Sequence, residues 1–376
     1  MPKSMATYRV LMAAGGTGGH VYPAIAIADA LKAQGSDMDI QFVGTKNHME
    51  WTSVPKAGYE ISPIWISGLQ RRLTPKNVLF PIKLLTALVQ SYWLLRSFRP
   101  SIVISCGGYV AGPVGWVAAK LGIPIMIQEQ NSYPGVTNRM LARYARRIFT
   151  AFPDAQDYFP EDRVRMVGNP TRNKLRQANA QTAREYFRFT EDRPVLLVLG
   201  GSLGAKSINQ AMRHSLDTLH DIVGLQIIWQ CGKRYIDDLE KDIDVEDYPR
   251  LRLHAYLDDM PAAYAAADLA VSRAGASSCS ELMITGTPSV LVPSPHVAGD
   301  HQTMNARSML EQGASEILED DSLQDTLSEL VTRLLADHEQ LRRMNDAALA
   351  MAKPMAAQDI AEEIRTTIET SKQVLA

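Results

Sequence analysis

Short apolar runs alternate with amphipathic stretches along almost the whole chain. In the first half, Tyr8–Ala14, Asp39–Val43, Ile102–Ser105, Ile125–Gln128, Arg147–Thr150 and Arg165–Val167 read as strands. Between them, Pro23–Gln34, Pro75–Ser97, Pro113–Leu121 and Val136–Tyr144 carry apolar residues at helical spacing. This alternation predicts an α/β fold with a mostly parallel sheet covered by helices on both faces. The pattern restarts at Val195, with strands expected at Val195–Leu199, Leu225–Gln230, Leu251–Ala255, Leu269–Ser272, Ser289–Val292 and Glu316–Leu318. Gly168-Asn169-Pro170, between the two sets, reads as a hinge, and Thr171–Ala180 after it offers few apolar anchors. Asp359–Val374 is helical by spacing, but the pattern does not assign it to either half.

Two glycine-rich turns head the two halves. Gly15-Gly16-Thr17-Gly18-Gly19-His20 follows the first strand, and Gly200-Gly201-Ser202-Leu203-Gly204-Ala205 follows Val195–Leu199, about 185 residues later. Each leads into a helical segment. Glycine there lets backbone N–H groups approach a ligand, and the helix start behind it favours negative charge. A single turn of this kind also serves as a plain connection; two suggest twin domains facing a phosphate-bearing ligand. His20 stands where the first helix begins, at the strand end where open α/β sheets bind ligands. It is a candidate general base, or else a capping or substrate-orienting histidine.

Further loops repeat the theme. Cys106-Gly107-Gly108-Tyr109-Val110-Ala111-Gly112-Pro113 joins a strand to a helix, either as a plain turn or as a close-approach loop. Gln128-Glu129-Gln130-Asn131 places four polar residues at the end of a buried strand, where they suit hydroxyl binding. Glu129 is a second candidate base, or a structural acceptor for loop N–H groups. Ser272–Glu281 is a small-residue loop opening a helix, exposing N–H donors to phosphate, with Glu281 one turn inside and suited to a ribose diol. The loop Pro293–Asn305 carries His296, Asp300, His301 and Gln302 and is suited to close over a sugar; its spacing fits no zinc motif. Asp37-Met38-Asp39 has the form of a metal-binding triplet, yet it lies in a helix-to-strand connection and reads as a solvated turn.

Composition narrows the classes. The 376 residues suit two domains rather than one core, and the 46% hydrophobic and 21% charged fractions are those of a globular protein. A net charge of −2 argues against nucleic acid held by bulk charge. Cys106, Cys231 and Cys279 form no CxxC and no disulfide framework, which points to a cytosolic setting. No signal peptide is read at the N-terminus. No run reaches the roughly 20 apolar residues needed to span a bilayer. The nearest, Val78–Leu95, is interrupted by Pro81, Lys83, Gln90 and Ser91. Arg71, Arg72, Lys76 and Lys83 flank it, which suits an anionic membrane surface. We expect its helix to be core, with Ile82, Leu85, Val89 and Tyr92 facing inward, and the loop Arg71–Phe80 (Arg71, Arg72, Lys76, Val78, Leu79, Phe80) to touch lipid.

Together, Gly15–His20, Gly107-Gly108-Tyr109-Val110, Glu129-Gln130-Asn131, Gly168-Asn169-Pro170, Gly200–Ala205 and Ser272–Ala276 resemble the MurG family, the peptidoglycan N-acetylglucosaminyltransferases of glycosyltransferase family 28. The resemblance runs in order over nearly the whole chain. It implies a GT-B fold, two Rossmann-like domains with a cleft between them. Residues 6–170 with 355–376 would form an N-terminal acceptor and membrane-facing domain, crossed by the last helix; residues 171–354 would bind the UDP-sugar. The implied donor is UDP-N-acetylglucosamine, and the implied acceptor is lipid I, undecaprenyl-pyrophosphoryl-MurNAc-pentapeptide. By position, Thr17, Gly18, Gly19 and Asn131 would lie near the transferred sugar and diphosphate, and Gly15, Gly16, Gly107, Gly108 and Tyr109 would form the acceptor-side loops. Arg172 and Ser202 would contact the nucleotide, with Leu257 by the uracil. Ala276, Ser277, Ser278, Cys279 and Ser280 would face the phosphates, Glu281 would hold the ribose, and Gln302 would read the sugar hydroxyls. Gln128 stands where the family often has His, and His301 and Thr303 flank Gln302 where some relatives carry other polar residues.

The reaction so implied is inverting, with attack of the muramyl C4 hydroxyl on the anomeric carbon, His20 first and Glu129 second as base, and no metal or other cofactor. The resemblance also implies a peripheral protein of the cytoplasmic face of the bacterial inner membrane, meeting cell-wall synthesis and division proteins. Two alternatives compete: a UDP-N-acetylglucosamine 2-epimerase of the same fold, and a non-catalytic UDP-sugar-binding membrane scaffold.

Overall fold

The structure is a computed structural model; the described residues are 8–35, 37–68, 79–171, 175, 177–189, 193–201, 203–222, 224–295, 297 and 300–375. The chain divides into two compact units, residues 1–171 with 353–376, and residues 172–352. In the first unit the strands are β1 (Tyr8–Ala13), β2 (Met38–Gly44), β3 (Glu60–Pro63), β4 (Ile102–Ser105), β5 (Ile125–Glu129), β6 (Arg147–Thr150) and β7 (Val164–Met166). Its helices are α1 (Gly18–Gln34), α2 (Glu50–Lys56), α3 (Phe80–Phe98), α4 (Gly108–Lys120) and α5 (Val136–Leu141). The second unit holds β8 (Val195–Leu199), β9 (Gln226–Gln230), β10 (Leu251–His254), β11 (Leu269–Arg273), β12 (Ser289–Val292) and β13 (Ser315–Ile317). Its helices are α6 (Ala180–Tyr186), α7 (Lys206–His220), α8 (Ile236–Asp242), α9 (Met260–Ala266), α10 (Ala276–Thr285), α11 (His301–Glu311), α12 (Leu323–Ala336) and α13 (His338–Met351). The last helix, α14 (Ala356–Leu375), returns to the first unit.

Both sheets are parallel throughout. The first has the order β3-β2-β1-β4-β5-β6-β7 and the second β10-β9-β8-β11-β12-β13. Strand order therefore reverses between β1 and β4, and again between β8 and β11. At such a switch point the two neighbouring connections leave toward opposite faces, and a crevice opens at the carboxyl ends of the strands. Strand interiors are fully buried on both faces, as in the run Val195–Leu199, which explains their continuous apolar character. β3 is absent from the sequence-based expectation because Glu-Ile-Ser-Pro has little apolar signal. As an edge strand beside β2 it needs little, and Pro63 is tolerated there.

Two helices begin earlier than their proline suggests. The pattern starts them at Pro23 and Pro113; the structure starts them at Gly18 and Gly108. Each proline thus sits more than one turn inside, where it has no N–H to give the carbonyl four residues back, of Gly19 or Tyr109. The consequence is that both glycine turns run straight into a helix start.

The orientation expected for α3 is corrected. Ile82 is 56% exposed, Leu85 65%, Val89 50% and Tyr92 40%. The buried residues are Ala87, Ser91 and Leu95, spaced four apart. Small side chains at Ala87 and Ser91 let α3 settle closely on α4, so the larger apolar residues are turned outward.

Helix α14 belongs to the core of the first unit. Ile360, Ala361, Ile364 and Ile368 pack in one cluster with Ile27, Ala28 and Leu31 of α1. Arg365 donates to Asp37 at 2.8 Å, and Glu363 accepts from Arg147 at 3.0 Å and Arg165 at 3.3 Å. These pairs are part-exposed, each worth about 0–1 kcal/mol, so apolar burial dominates the docking. Asp37, the first carboxylate of the Asp-Met-Asp triplet, is thereby committed to an ion pair.

Replacing the fully buried Ile364 by Ala should cost about 2–5 kcal/mol of the first unit's stability. Urea-dependent hydrogen exchange should show peptides of β1 and α1 opening at lower denaturant, with β8 and β11 unmoved.

Candidate functional site at the two switch points

In the first unit the turns after β1 and β4 meet across the switch point. A Cβ on Gly108, whose φ is +79°, would lie 2.3 Å from the carbonyl oxygen of Gly15, so only glycine permits this backbone approach. The Tyr109 ring lies against Gly16 and packs edge-on against His48, with centroids 5.7 Å apart. Thr17 caps α1 with an extended backbone (φ −144°, ψ 159°), but its side chain does not cap a backbone N–H. Instead its Oγ1 lies 3.1 Å from His20 Nδ1. The imidazole also reaches the second turn, where a Cβ on Gly107 would meet His20 Cδ2 at 2.8 Å. The sequence-predicted residues Gly15–His20 and Gly107–Tyr109 are thus brought into one cluster. Not every N–H faces outward, because Gly16 N–H donates to the buried Glu50 at 3.1 Å.

The polar residues closing β5 are core. Gln128, Glu129 and Gln130 are each 1% exposed or less. Gln128 Nε2 donates to Asn169 Oδ1 at 3.2 Å, and Gln130 Nε2 donates to the Cys106 carbonyl at 2.7 Å and to Gln128 Oε1. Glu129 accepts from Asn131 N–H at 3.1 Å, Gly135 N–H at 3.1 Å and Asn138 Nδ2 at 2.9 Å, with Asn131 Nδ2 at 3.3 Å. Burial pushes its carboxyl above the usual range, and these hydrogen bonds pull against that shift. The expectation that this cluster binds hydroxyls is revised to a buried, internally hydrogen-bonded network, from which Asn131 emerges part-exposed.

In the second unit the turn after β8 packs on the turn after β9. A Cβ on Gly204 (φ +77°) would lie 2.1 Å from the Cys231 carbonyl. Gln230 bridges two loops, its Nε2 donating to the Gly201 carbonyl and its Oε1 accepting from Leu257 N–H, both at 3.0 Å. Across the switch point, α10 starts at Ala276 after an extended Gly275, with no side-chain cap, so its first N–H groups have no intrahelical acceptor. Ala276–Ser280 divides by face. Ser277 and Ser278 are part-exposed, Cys279 is fully buried, and Ser280 spends its hydroxyl on the Ala276 carbonyl at 2.7 Å. Glu281 accepts at 3.0 Å from the hydroxyl of the buried Tyr264. Gln302 Oε1 accepts from Ser294 N–H at 2.9 Å, and Thr303 Oγ1 donates to Asp300 at 2.6 Å.

Both halves of the chain match family models. Residues 10–150 match the glycosyltransferase family 28 N-terminal domain, and residues 195–364 match the family 28 C-terminal domain. The chain belongs to glycosyltransferase family 28. A relative from Salinibacter ruber, named UDP-N-acetylglucosamine–N-acetylmuramyl-(pentapeptide) pyrophosphoryl-undecaprenol N-acetylglucosamine transferase, is 50% identical over 94% of this chain and 95% of its own. The crystal structure of Acinetobacter baumannii MurG matches with a TM-score of 0.78 at 32% identity, covering 96% of this chain and 99% of that one. A UDP-GlcNAc 2-epimerase from Neisseria meningitidis, bound to UDP-GlcNAc, matches with a TM-score of 0.67 at 13% identity, covering 95% of this chain and 100% of that one, a likeness of fold alone. The two parallel Rossmann-like halves are those of the GT-B fold.

Three supporting residues of this family 28 chain escape a reading of motifs: Glu50, Gln230 and Tyr264. Each is a lone polar residue in an ordinary-looking segment, and only the fold brings it under a loop. Leu79 is exposed (47%) and Phe80 is part-buried, while Arg71, Arg72, Lys76, Val78, Arg172, Ser202 and His296 lie outside the described residues. Among the described residues, no group of three His, Cys, Asp or Glu side chains is arranged to hold a metal ion, and no helix is long and apolar enough to cross a membrane.

The three cysteines sit under these loops, all buried. Burial pushes the Cys231 thiol up to about 11 and Cys279 to about 12, and raises Cys106 further still. A maleimide at pH 8 should therefore leave the native chain unmodified and label all three thiols in urea, as read by intact mass.

Proposed function

We propose that this chain transfers N-acetylglucosamine from UDP-N-acetylglucosamine to the C4 hydroxyl of the muramyl sugar of lipid I. The observation that carries the reading is the pair of switch points, each ringed by glycine turns and a helix start, in a chain half identical to a transferase of that name. The second unit takes the donor. Leu257 lies by the uracil, Glu281 holds the ribose, and Gln302 reads sugar hydroxyls. The N-terminus of α10 faces the diphosphate, where backbone donors and the helix dipole stabilise the charge that grows as UDP departs. Arg172 and Ser202 add to the nucleotide contacts. The first unit takes the acceptor at the turns Gly15–Gly19 and Gly107–Tyr109, with Asn131 beside them.

His20 is the base in this reading. For that role its Nδ1–H must donate to Thr17 Oγ1, which leaves Nε2 as the acceptor for the hydroxyl proton. Glu129, buried and surrounded by donors, serves better to hold the loop 131–138. The anomeric carbon inverts, the C4 oxygen gains the sugar, and UDP leaves.

We also propose that the first unit rests on an anionic membrane surface at the cytoplasmic face, where its lipid substrate is held. Leu79, Ile82, Leu85, Val89 and Trp93 are exposed on and before α3, beside Trp65 and Trp116. Between Glu60 and Glu129 the chain has no Asp or Glu, whereas it has Arg71, Arg72, Lys76, Lys83, Arg96, Arg99 and Lys120. An apolar face in a segment of one charge sign matches anionic lipid. Contacts with cell-wall synthesis and division proteins fit the same location.

Incubation with UDP-N-acetylglucosamine and a lipid I analogue should release UDP only when the lipid is present; lipid-independent release would favour an epimerase, and none a scaffold. His20→Ala should lower kcat by about 10²–10⁴-fold with little change in the KM for the donor. Unchanged turnover would remove His20 from the base role. In flotation with phosphatidylglycerol vesicles, Leu85→Glu with Trp93→Glu should lose binding while keeping turnover on a water-soluble acceptor. Undiminished flotation would overturn the assignment of this face.

A further inference from the structure

The carboxylate beneath the first glycine turn has no part in the proposed chemistry. Glu50 opens α2 and is fully buried. Its Oε2 accepts from Gly16 N–H at 3.1 Å, and its Oε1 accepts from Thr45 N–H at 3.2 Å and from Thr45 Oγ1 at 2.7 Å. None of the ion pairs among the described residues includes it. The chain also makes room for it. A Cβ on Gly15 would lie 2.8 Å from Val110 Cγ2 and 2.9 Å from Glu50 Oε1, and one on Gly44 would lie 2.7 Å from Glu50 Cγ and 2.8 Å from Ile61 Cδ1. Gly15 has an ordinary φ, so its lack of a side chain serves space rather than backbone shape. Part of the glycine signature is thus explained by packing against Glu50 and Val110 as well as by any ligand.

We infer that Glu50 is a positioning residue for the acceptor-side turn. It joins the turn after β1 to the turn after β2 and fixes the Gly15–Gly16 peptide. That peptide's carbonyl end is already set by the approach of Gly108, so both ends of the turn are held. Thr17 and His20, which follow directly, inherit their placement from it. Because Gly16 N–H is spent on Glu50, it is not among the donors left to a substrate. A carboxyl group whose two oxygens accept three donors is hard to replace. Glutamine has the same shape, but its amide group would face either Gly16 N–H or the Thr45 donors, setting donor against donor.

The inference rests on the proposed transfer reaction, and the test separates the two. In the full chain, Glu50→Gln should keep its fold by circular dichroism. Its kcat should fall on the order of ten- to a hundred-fold, with a raised KM for the lipid I analogue and an unchanged KM for UDP-N-acetylglucosamine. Hydrogen exchange at Gly16 N–H should speed up about ten-fold or more. A folded variant with parental kinetics, or with parental exchange at Gly16, overturns the inference. If Glu50→Gln does not fold, Thr45→Val removes one of the three bonds and should show the same split between kcat and donor KM at smaller size. Parental kinetics there overturn it equally. Should the parent chain transfer no sugar, the reaction is misassigned, and exchange at Gly16 still decides whether Glu50 holds the turn.

Discussion

The first unit's site depends on the contact of two backbones: the Gly107–Gly108 turn lying on the carbonyl of Gly15. No side chain fits between them. The approach draws together two connections that parallel strand order would otherwise send to opposite faces, and it turns the crevice at the switch point into a wall of peptide groups. Tyr109, Thr17 and His20 hang from that wall. Their placement comes from the glycine turns that carry them, from the Thr17–His20 contact and from the packing of Tyr109 on His48. In the second unit the close backbone approach lies to one side of the switch point, where Gly204 of the turn after β8 meets the Cys231 carbonyl after β9 and Gln230 ties the same turn to Leu257.

This construction suits chemistry in which charge moves from one group to another. Peptide dipoles at helix starts are fixed before substrate arrives, so they need no reorganisation as charge develops. The polar side chains close by are mostly committed to holding neighbouring backbone or side-chain groups. Glu129 secures the loop before α5, Tyr264 holds Glu281, and Glu50 holds Gly16. A site built this way keeps few side chains free, and those few carry the reaction.

How much of this was legible in the sequence follows from which forces leave a periodic trace. Buried parallel strands are nearly continuous apolar runs, so every strand but the polar edge strand β3 was visible, as were the glycine turns after them. The family resemblance rested on those turns and agrees with the family 28 match. The facing of α3 is not legible because its pattern shows two apolar stripes, and spacing alone does not say that the one with Ala87 and Ser91 packs inward. Gln128, Glu129 and Gln130 looked like an open polar rim, since a chain read in one dimension does not reveal that Cys106, Asn138 and Asn169 come to meet them. Glu50, Gln230 and Tyr264 carry no signal, because their partners are main-chain groups or residues distant in sequence.

The docking of α14 has a consequence for how the protein is made. The first unit is written in two pieces, and Gly168, near the end of the first piece, lies against Lys353 at the start of the second. The second unit is therefore, in sequence, an insertion between two pieces of the first, and its own core cluster lies wholly within residues made before the second piece. The first unit, although its first piece is translated earlier, lacks Ile360, Ile364 and Ile368 until the second unit has been made. The apolar groove on α1 stays open through that interval, and the half of the molecule synthesised first is the half completed last.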